Sequence, residues 1–352
     1  MNEILNFPFA ALVGQEEMKK ALILAVVNPL VGGVVLIGPR GTGKTTAARG
    51  LVDLMPPVTR SRCPWGCEPE AAYEGGMDAI CPACAEKLAM GEEITYQDRM
   101  RFVELPLNAG LGDVVGGINE RVALEQGRVK LEPGILSYAH KNLLYIDEIN
   151  LLDDIIVDAI LDAAAQGRYT VRRGALAGTY PAQFILVGSM NPEEGWLRPQ
   201  ILDRLGLRVI VTGLKQAQDR LEVYRRVRAF AENPHQCQAQ YAFETAALSE
   251  EIVLAKELLP RVTVTVEAEA VGLRMVQDLE IDSHRAELVL FEAARAHAAA
   301  DGREEATVDD VAAVASMALR YRRSQFMKRF AAESREEEER IEKAVHAVAG
   351  KT

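Results

Sequence analysis

Cysteine is scarce: five residues in 352, too few to staple a chain of this length with disulfides. Aromatic residues make up only 6%, and no run of about 18 apolar residues occurs, which excludes a membrane-spanning helix. Basic residues are outnumbered, 40 Lys and Arg against 51 Asp and Glu. The resulting formal charge of −11 gives no general attraction to phosphate backbones and excludes nucleic acid as the main partner. The segment Met1 to Phe9 lacks the basic stretch and cleavage site of a secretory signal, so a cytoplasmic location is expected. Repeats and low-complexity linkers are also missing. What remains is 49% hydrophobic and 26% charged, the composition of an ordinary globular protein. The length suits two domains at roughly 100–200 residues each.

Short apolar runs bounded by polar punctuation predict buried parallel strands at Val31 to Ile37, Phe102 to Leu105, Leu143 to Ile146, Phe184 to Val187 and Val209 to Val211. A helix is expected over Thr45 to Leu54. These elements predict an α/β domain over residues 1–212 with a central parallel sheet flanked by helices. Beyond Gly213 the pattern turns to helical periods rich in Ala, Glu, Arg and Leu, so residues 213–352 are expected to form a smaller, mainly helical domain. Val262 to Val266 alone alternates like a strand there. Thr307-Val-Asp-Asp310 resembles a capping box with Asp in place of Glu and opens a helix through Ala312, Val314 and Leu319. The dense charge of Glu333 to Lys343 predicts a solvated helix.

Gly38-Pro39-Arg40-Gly41-Thr42-Gly43-Lys44-Thr45 matches the complete P-loop pattern, after a strand and before a helix. Its glycines let backbone N–H groups and the helix N-terminus face phosphates, Lys44 reaches the β/γ-phosphates, and Thr45 binds the magnesium of MgATP. The strand Leu143 to Ile146 ends in Asp147-Glu148, the form of a Walker B motif. Asp147 supports magnesium and Glu148 orients or activates the attacking water. A carboxylate pair after a strand is by itself as often a solvated turn, but beside a P-loop it favours hydrolysis over phosphoryl transfer to a small acceptor.

The string Gly188-Ser-Met-Asn191-Pro-Glu-Glu-Gly195, followed by Leu197-Arg198-Pro-Gln-Ile-Leu-Asp203-Arg204-Leu-Gly206, resembles the motor (I) subunit of magnesium chelatase, a family of AAA+ ATPases. The likeness extends to Phe7 to Gln15, Asp147 to Leu152, and His284-Arg285 leading into Ala293-Ala-Arg-Ala296. It implies a P-loop AAA+ core with a helical lid, assembled into a ring, expected to be hexameric, with ATP at each subunit interface. It further implies nucleotide-binding roles for Val13 and Gly14, a sensor role for Asn191, a finger reaching the neighbour's site for Arg204, a second trans position for Arg198, and a lid sensor for Arg285. A surface ion pair is the commoner fate of any one arginine. The partners implied are a D-type subunit and a porphyrin-binding H-type subunit, because nothing in the chain suggests a tetrapyrrole pocket.

The same family places β-hairpins at the insertions near 119–130 and 169–180, and both stretches alternate with glycine at a turn. Within a third insert, residues 61–90, Cys63-x3-Cys67 and Cys81-x2-Cys84 have a spacing that can close a tetrahedral zinc site, reduced surface thiols being the alternative. Cys237 stands apart. The function expected is therefore an ATPase motor driving magnesium insertion into protoporphyrin by partner subunits. Two alternatives remain open: a cobalt chelatase motor or MoxR-like remodelling ATPase, and a nucleotide-dependent binding module that does not turn over.

Overall fold

The computed structural model describes residues 5–63, 65–118, 131–173 and 176–323. Its centre is a five-stranded parallel sheet in the order Leu207–Ile210, Val34–Ile37, Ile185–Met190, Leu143–Ile146, Phe102–Leu105. Because strand side chains alternate, Val34 and Leu36 face one core while Val35 and Ile37 face the other. Helices Glu16–Val27 and Lys44–Val52 cover the first face, and Asp154–Gln166 and Pro199–Arg204 cover the second. Strands buried on both faces read as continuous apolar runs, which is why the sequence revealed them.

Phe102–Leu105 and Leu143–Ile146 have the expected limits, and the other three strands differ. The first strand begins at Val34 rather than Val31, since Gly32 and Gly33 sit at φ +83° and +84° and break the extended backbone. The strand expected to end at Val187 continues to Met190, because Gly188 and Ser189 pair with the Walker B strand and the P-loop strand. The strand expected at Val209 to Val211 covers Leu207–Ile210, and the helix expected at Thr45 to Leu54 covers Lys44–Val52.

Over the described residues 213–323 the chain is mainly helical: Ala217–Glu232, Ala242–Leu258, Val266–Asp278, Arg285–Ala300 and Val308–Leu319 are the longer helices. Thr263–Val264 is the short strand left of the expected one; Thr265 then caps the helix Val266–Asp278 by accepting from the Ala268 N–H at 3.3 Å. Its parallel partner is Glu305–Ala306, too short to read from alternation. Helix Arg285–Ala300 lies in the same core as Glu16–Val27, and Asn28 donates to the Glu292 backbone carbonyl (3.1 Å) and carboxylate (2.6 Å).

Arg168–Arg173 and Leu176–Pro181 pair antiparallel as a hairpin. Gly116–Ile118 and Leu131–Pro133 also pair antiparallel; the residues between them, including the hairpin expected near 119–130, lie outside the described residues, as does Glu333 to Lys343. Among the described residues no helix is long and apolar enough to cross a membrane.

Candidate functional site

The P-loop lies between the Val34–Ile37 strand and the Lys44–Val52 helix at the C-terminal edge of the sheet. Gly38 is fixed there by close approach: its N–H donates to the Met190 carbonyl at 2.9 Å, and a Cβ would fall 1.9 Å from the Val211 carbonyl oxygen. Gly41 and Gly43 have ample room but left-handed backbones, φ +77° and +86°, so conformation rather than crowding requires glycine. The buried Lys44 ammonium donates to the carbonyls of Gly38 (2.8 Å) and Pro39 (2.7 Å). Burial lowers its pKa from the usual lysine value, against the attraction of Asp147 and Glu148.

A cavity of about 380 Å³ opens above the loop, lined by Arg40 to Thr46 together with Asp147, Glu148, Ser189 and Asn191. One hydrogen-bonded chain crosses its floor. Thr45 Oγ1 lies 2.8 Å from the Tyr145 hydroxyl, which donates to Asp147 Oδ1 at 3.1 Å. Ser189 Oγ donates to the same Asp147 oxygen at 2.5 Å and accepts the Glu148 N–H at 3.0 Å. Burial pushes the Tyr145 hydroxyl up to about 12, so it remains a protonated donor. Tyr145 and Ser189 were missed from the sequence, although a tyrosine within an otherwise aliphatic buried strand was the available signal.

Glu148 stands in a left-handed conformation, φ 50° and ψ 50°, at the turn leaving its strand. Arg40 bridges Glu148 Oε1 (2.7 Å) and Glu194 Oε1 (2.8 Å) across the mouth of the cavity. Asn191 is buried at the end of its strand, and its side-chain oxygen accepts from the Glu193 N–H at 3.3 Å. A hydroxyl and a carboxylate beneath a glycine-built cradle of N–H groups and a lysine form an oxygen donor set suited to a hard divalent cation and a phosphate chain.

A second cavity, about 700 Å³, continues from Gly41–Gly43 over Val13, Leu12, Leu214 and Tyr224. Gly14, between the lining residues Val13 and Gln15, does not itself line the cavity; it sits at φ +59°, where a Cβ would fall 2.8 Å from Leu214 Cδ2. The volume and largely apolar lining suit an adenine ring beside the phosphate cradle.

Three predicted arginines lie away from the cradle of their own chain. Arg204 Nη1 contacts Asp158 (3.1 Å) and Asp162 (3.0 Å), and Arg198 pairs with Asp154. Arg285 Nη1 lies 3.4 Å from Asp203 Oδ2. Asp203 is the unpredicted centre of this region: it accepts from Ser283 Oγ at 2.7 Å and from the buried Arg322 at 3.0 Å. Arg322 also donates to the carbonyls of Leu205 and Gly206, and the fully buried Arg208 to that of Leu202. Burial, reinforced by Arg322, pulls Arg208 down to about 9.

The four cysteine sulfurs, at positions 63, 67, 81 and 84, all lie within 4.8 Å of one another.

The chain matches the family model for magnesium chelatase, subunit ChlI, over residues 8–63 and 118–200, and that for an AAA lid domain over 276–344. It is 44% identical over 317 residues to a magnesium-chelatase subunit ChlI homolog of Methanocaldococcus jannaschii, spanning 90% of this chain and 85% of that one. It is 43% identical to the magnesium-chelatase 38 kDa subunit of Acidiphilium rubrum, spanning 90% of each. Among solved structures, a chain in a description of the complex between magnesium chelatase subunits BchI and BchD aligns over 93% of this chain and 99% of that one, with TM-score 0.52 and 36% identity. A Cytophaga hutchinsonii protein described as a putative ATPase covers 89% of this chain and 83% of its own length at TM-score 0.56; at 19% identity it speaks to fold alone.

Proposed function

The chain belongs to the magnesium chelatase I-subunit family, and from that premise we propose that it is the ATP-hydrolysing AAA+ motor driving magnesium insertion into protoporphyrin IX by partner subunits. The observation that carries this reading is the hydrogen-bonded chain Thr45–Tyr145–Asp147–Ser189–Glu148 beneath the P-loop, which links the loop's threonine to the two carboxylate residues after the strand. The remodelling and cobalt readings are not favoured, since relatives matching 90% of this chain carry magnesium-chelatase names.

In this reading the P-loop N–H groups and Lys44 bind the β/γ-phosphates of ATP, with Val13 and Gly14 against its base. Thr45 and Asp147 hold magnesium, which offsets charge on the phosphate oxygens. Tyr145 and Ser189 orient Asp147 by donating to a single oxygen, leaving the other free as an acceptor. Glu148, released from Arg40, takes a proton from the attacking water, and Asn191 positions that water. Arg40 is 68% exposed, so its ion pair is screened and gives way readily. Arg204, with Arg198 beside it, acts on the neighbouring subunit's site, and Arg285 reports from the lid. The boundary between core and lid falls at 212/213.

Oligomerisation and a D-type partner follow from the relative described in the BchI–BchD complex. A hexameric ring, an H-type porphyrin-binding subunit and a cytoplasmic location complete the proposal, with no nucleic acid or membrane insertion. The cysteine cluster is read as a second, structural metal site for zinc.

The test is magnesium insertion into protoporphyrin by this protein with purified partner subunits and ATP, beside a Glu148→Gln control. Insertion that disappears in the control is expected. ATP hydrolysis without insertion, using partners competent with another motor subunit, would overturn the chelatase role.

A further inference from the structure

The insert from Ser61 to Ile94 has almost no core of its own. Its buried apolar cluster is Cys67, Ala72, Ile80, Cys84 and Ile94, and two of those five are the thiols themselves. So small a core does not hold a fold without a staple. The sulfurs of Cys63, Cys67, Cys81 and Cys84 lie mutually within 4.8 Å, and a tetrahedral zinc with Zn–S near 2.3 Å sets its sulfurs about 3.8 Å apart, so a small contraction closes the site. Donors already face the sulfurs: the Cys81 N–H reaches Cys67 Sγ at 3.2 Å, and Ser61 Oγ reaches Cys63 Sγ at 3.3 Å. Such outer hydrogen bonds orient metal-bound thiolates.

The residues beside these ligands reach the rest of the molecule. Trp65, inside the Cys63–Cys67 loop, stacks on Tyr180 of the Arg168–Pro181 hairpin, centroids 4.8 Å apart and planes 4° apart, and Tyr180 stacks on Tyr169 at 5.6 Å. Gly66, at φ +68°, packs so closely on the hairpin's last residue that a Cβ would fall 2.3 Å from Pro181 Cγ. At Gly178 of the hairpin a Cβ would fall 2.9 Å from the Trp65 ring and 3.1 Å from Leu131, so three inserted segments converge there. Glu68, following Cys67, pairs with Lys141 at 2.5 Å, just before the Walker B strand. The hairpin feeds the N-terminal end of Ile185–Met190, whose other end carries Asn191. The cluster therefore sits at the edge of the sheet opposite the phosphate cradle.

We propose that Cys63, Cys67, Cys81 and Cys84 bind one zinc ion whose role is to clamp the Arg168–Pro181 hairpin through Trp65 and Gly66. The proposal rests on the zinc reading above and adds the structure that the metal controls. All four metal positions are filled by protein, so the site has no catalytic vacancy. Zinc fixes the Cys63–Cys67 loop, the loop presents the indole, and the indole holds Tyr180.

The test measures metal content and amide hydrogen exchange on the full chain, as wild type, as wild type stripped by chelator, and as Trp65→Ala. One zinc per chain is expected in wild type and in Trp65→Ala, and none after stripping. Exchange in the hairpin strands should rise about tenfold or more in both the stripped protein and Trp65→Ala, while the Val34–Ile37 and Leu143–Ile146 strands stay protected. No metal, or iron in place of zinc, overturns the zinc reading and the clamp together. Stoichiometric zinc with unchanged hairpin exchange in the stripped and Trp65→Ala proteins overturns the clamp alone. Trp65→Ala keeps every ligand, so the result does not depend on whether cysteine variants fold.

Discussion

Lys44 and Glu148 face one cradle with opposite tasks. Lys44 is held by two loop carbonyls until phosphate oxygens compete for it, so Lys44→Ala should abolish nucleotide binding, checked by titration with a fluorescent ATP analogue. Glu148→Gln keeps size and hydrogen bonding but removes the base; turnover should fall at least about 100-fold while ATP stays bound. Tyr145 tests the unpredicted part of the site. Tyr145→Phe removes the hydroxyl linking Thr45 to Asp147 but keeps the buried ring. Stability should drop by about 1 kcal/mol, and half-maximal ATPase should require about tenfold more magnesium. An unchanged magnesium requirement would show that Asp147 needs no such support. At this scale the P-loop and Asp147-Glu148 were legible because their chemistry depends on adjacent residues. Tyr145 and Ser189 were not, because they meet only when two neighbouring strands come into register.

Helix ends carry the next level of organisation. Asp310 is buried in the first turn of Val308–Leu319, where its carboxylate accepts from the Thr307 N–H (2.8 Å), the Thr307 hydroxyl (3.0 Å) and Arg303 Nη1 (2.7 Å). Burial alone would raise its pKa, but hydrogen bonds from Arg303 and His297 outweigh that and hold it well below the usual carboxylate range. A depressed folded pKa contributes stability that is complete above the unfolded value near ~3.9 and is lost as pH falls through the folded value. Asp310→Ala should therefore cost about 3 kcal/mol at neutral pH, read from denaturant melts, with the gap from wild type narrowing in strong acid. The cap was visible as Thr307-Val-Asp-Asp310. Its coupling to Arg303 and His297 was not, since His297 belongs to another helix.

For the whole molecule the question is whether one chain contains a complete site. Arg204, Arg198 and Arg285 are each engaged by carboxylates outside the P-loop cavity of their own chain. If Arg204 acts in trans, Arg204→Ala and Glu148→Gln chains should each be nearly inactive alone. Equal mixtures should recover roughly a quarter of wild-type turnover, because that share of interfaces pairs an intact Glu148 with an intact Arg204. No recovery in mixed assemblies would place both residues in the same subunit's site. Asp203 adjoins Arg204 and gathers Arg285, Arg322 and Ser283, so helix Pro199–Arg204 and the lid share one carboxylate.

Sequence alone determined the strands of the sheet, the glycine-rich loop and the Asp147-Glu148 pair at the end of its strand, because continuous apolar strands and glycines with left-handed backbones leave local patterns. It also determined the cysteine spacing. Tertiary structure decided that the four sulfurs converge, that Trp65 reaches Tyr180, and that Asp203 ties helix Pro199–Arg204 to the lid. The sulfurs come from two short segments, but the other contacts join residues from about 80 to more than 110 positions apart, and packing of whole elements, rather than any local preference of the chain, sets their distance.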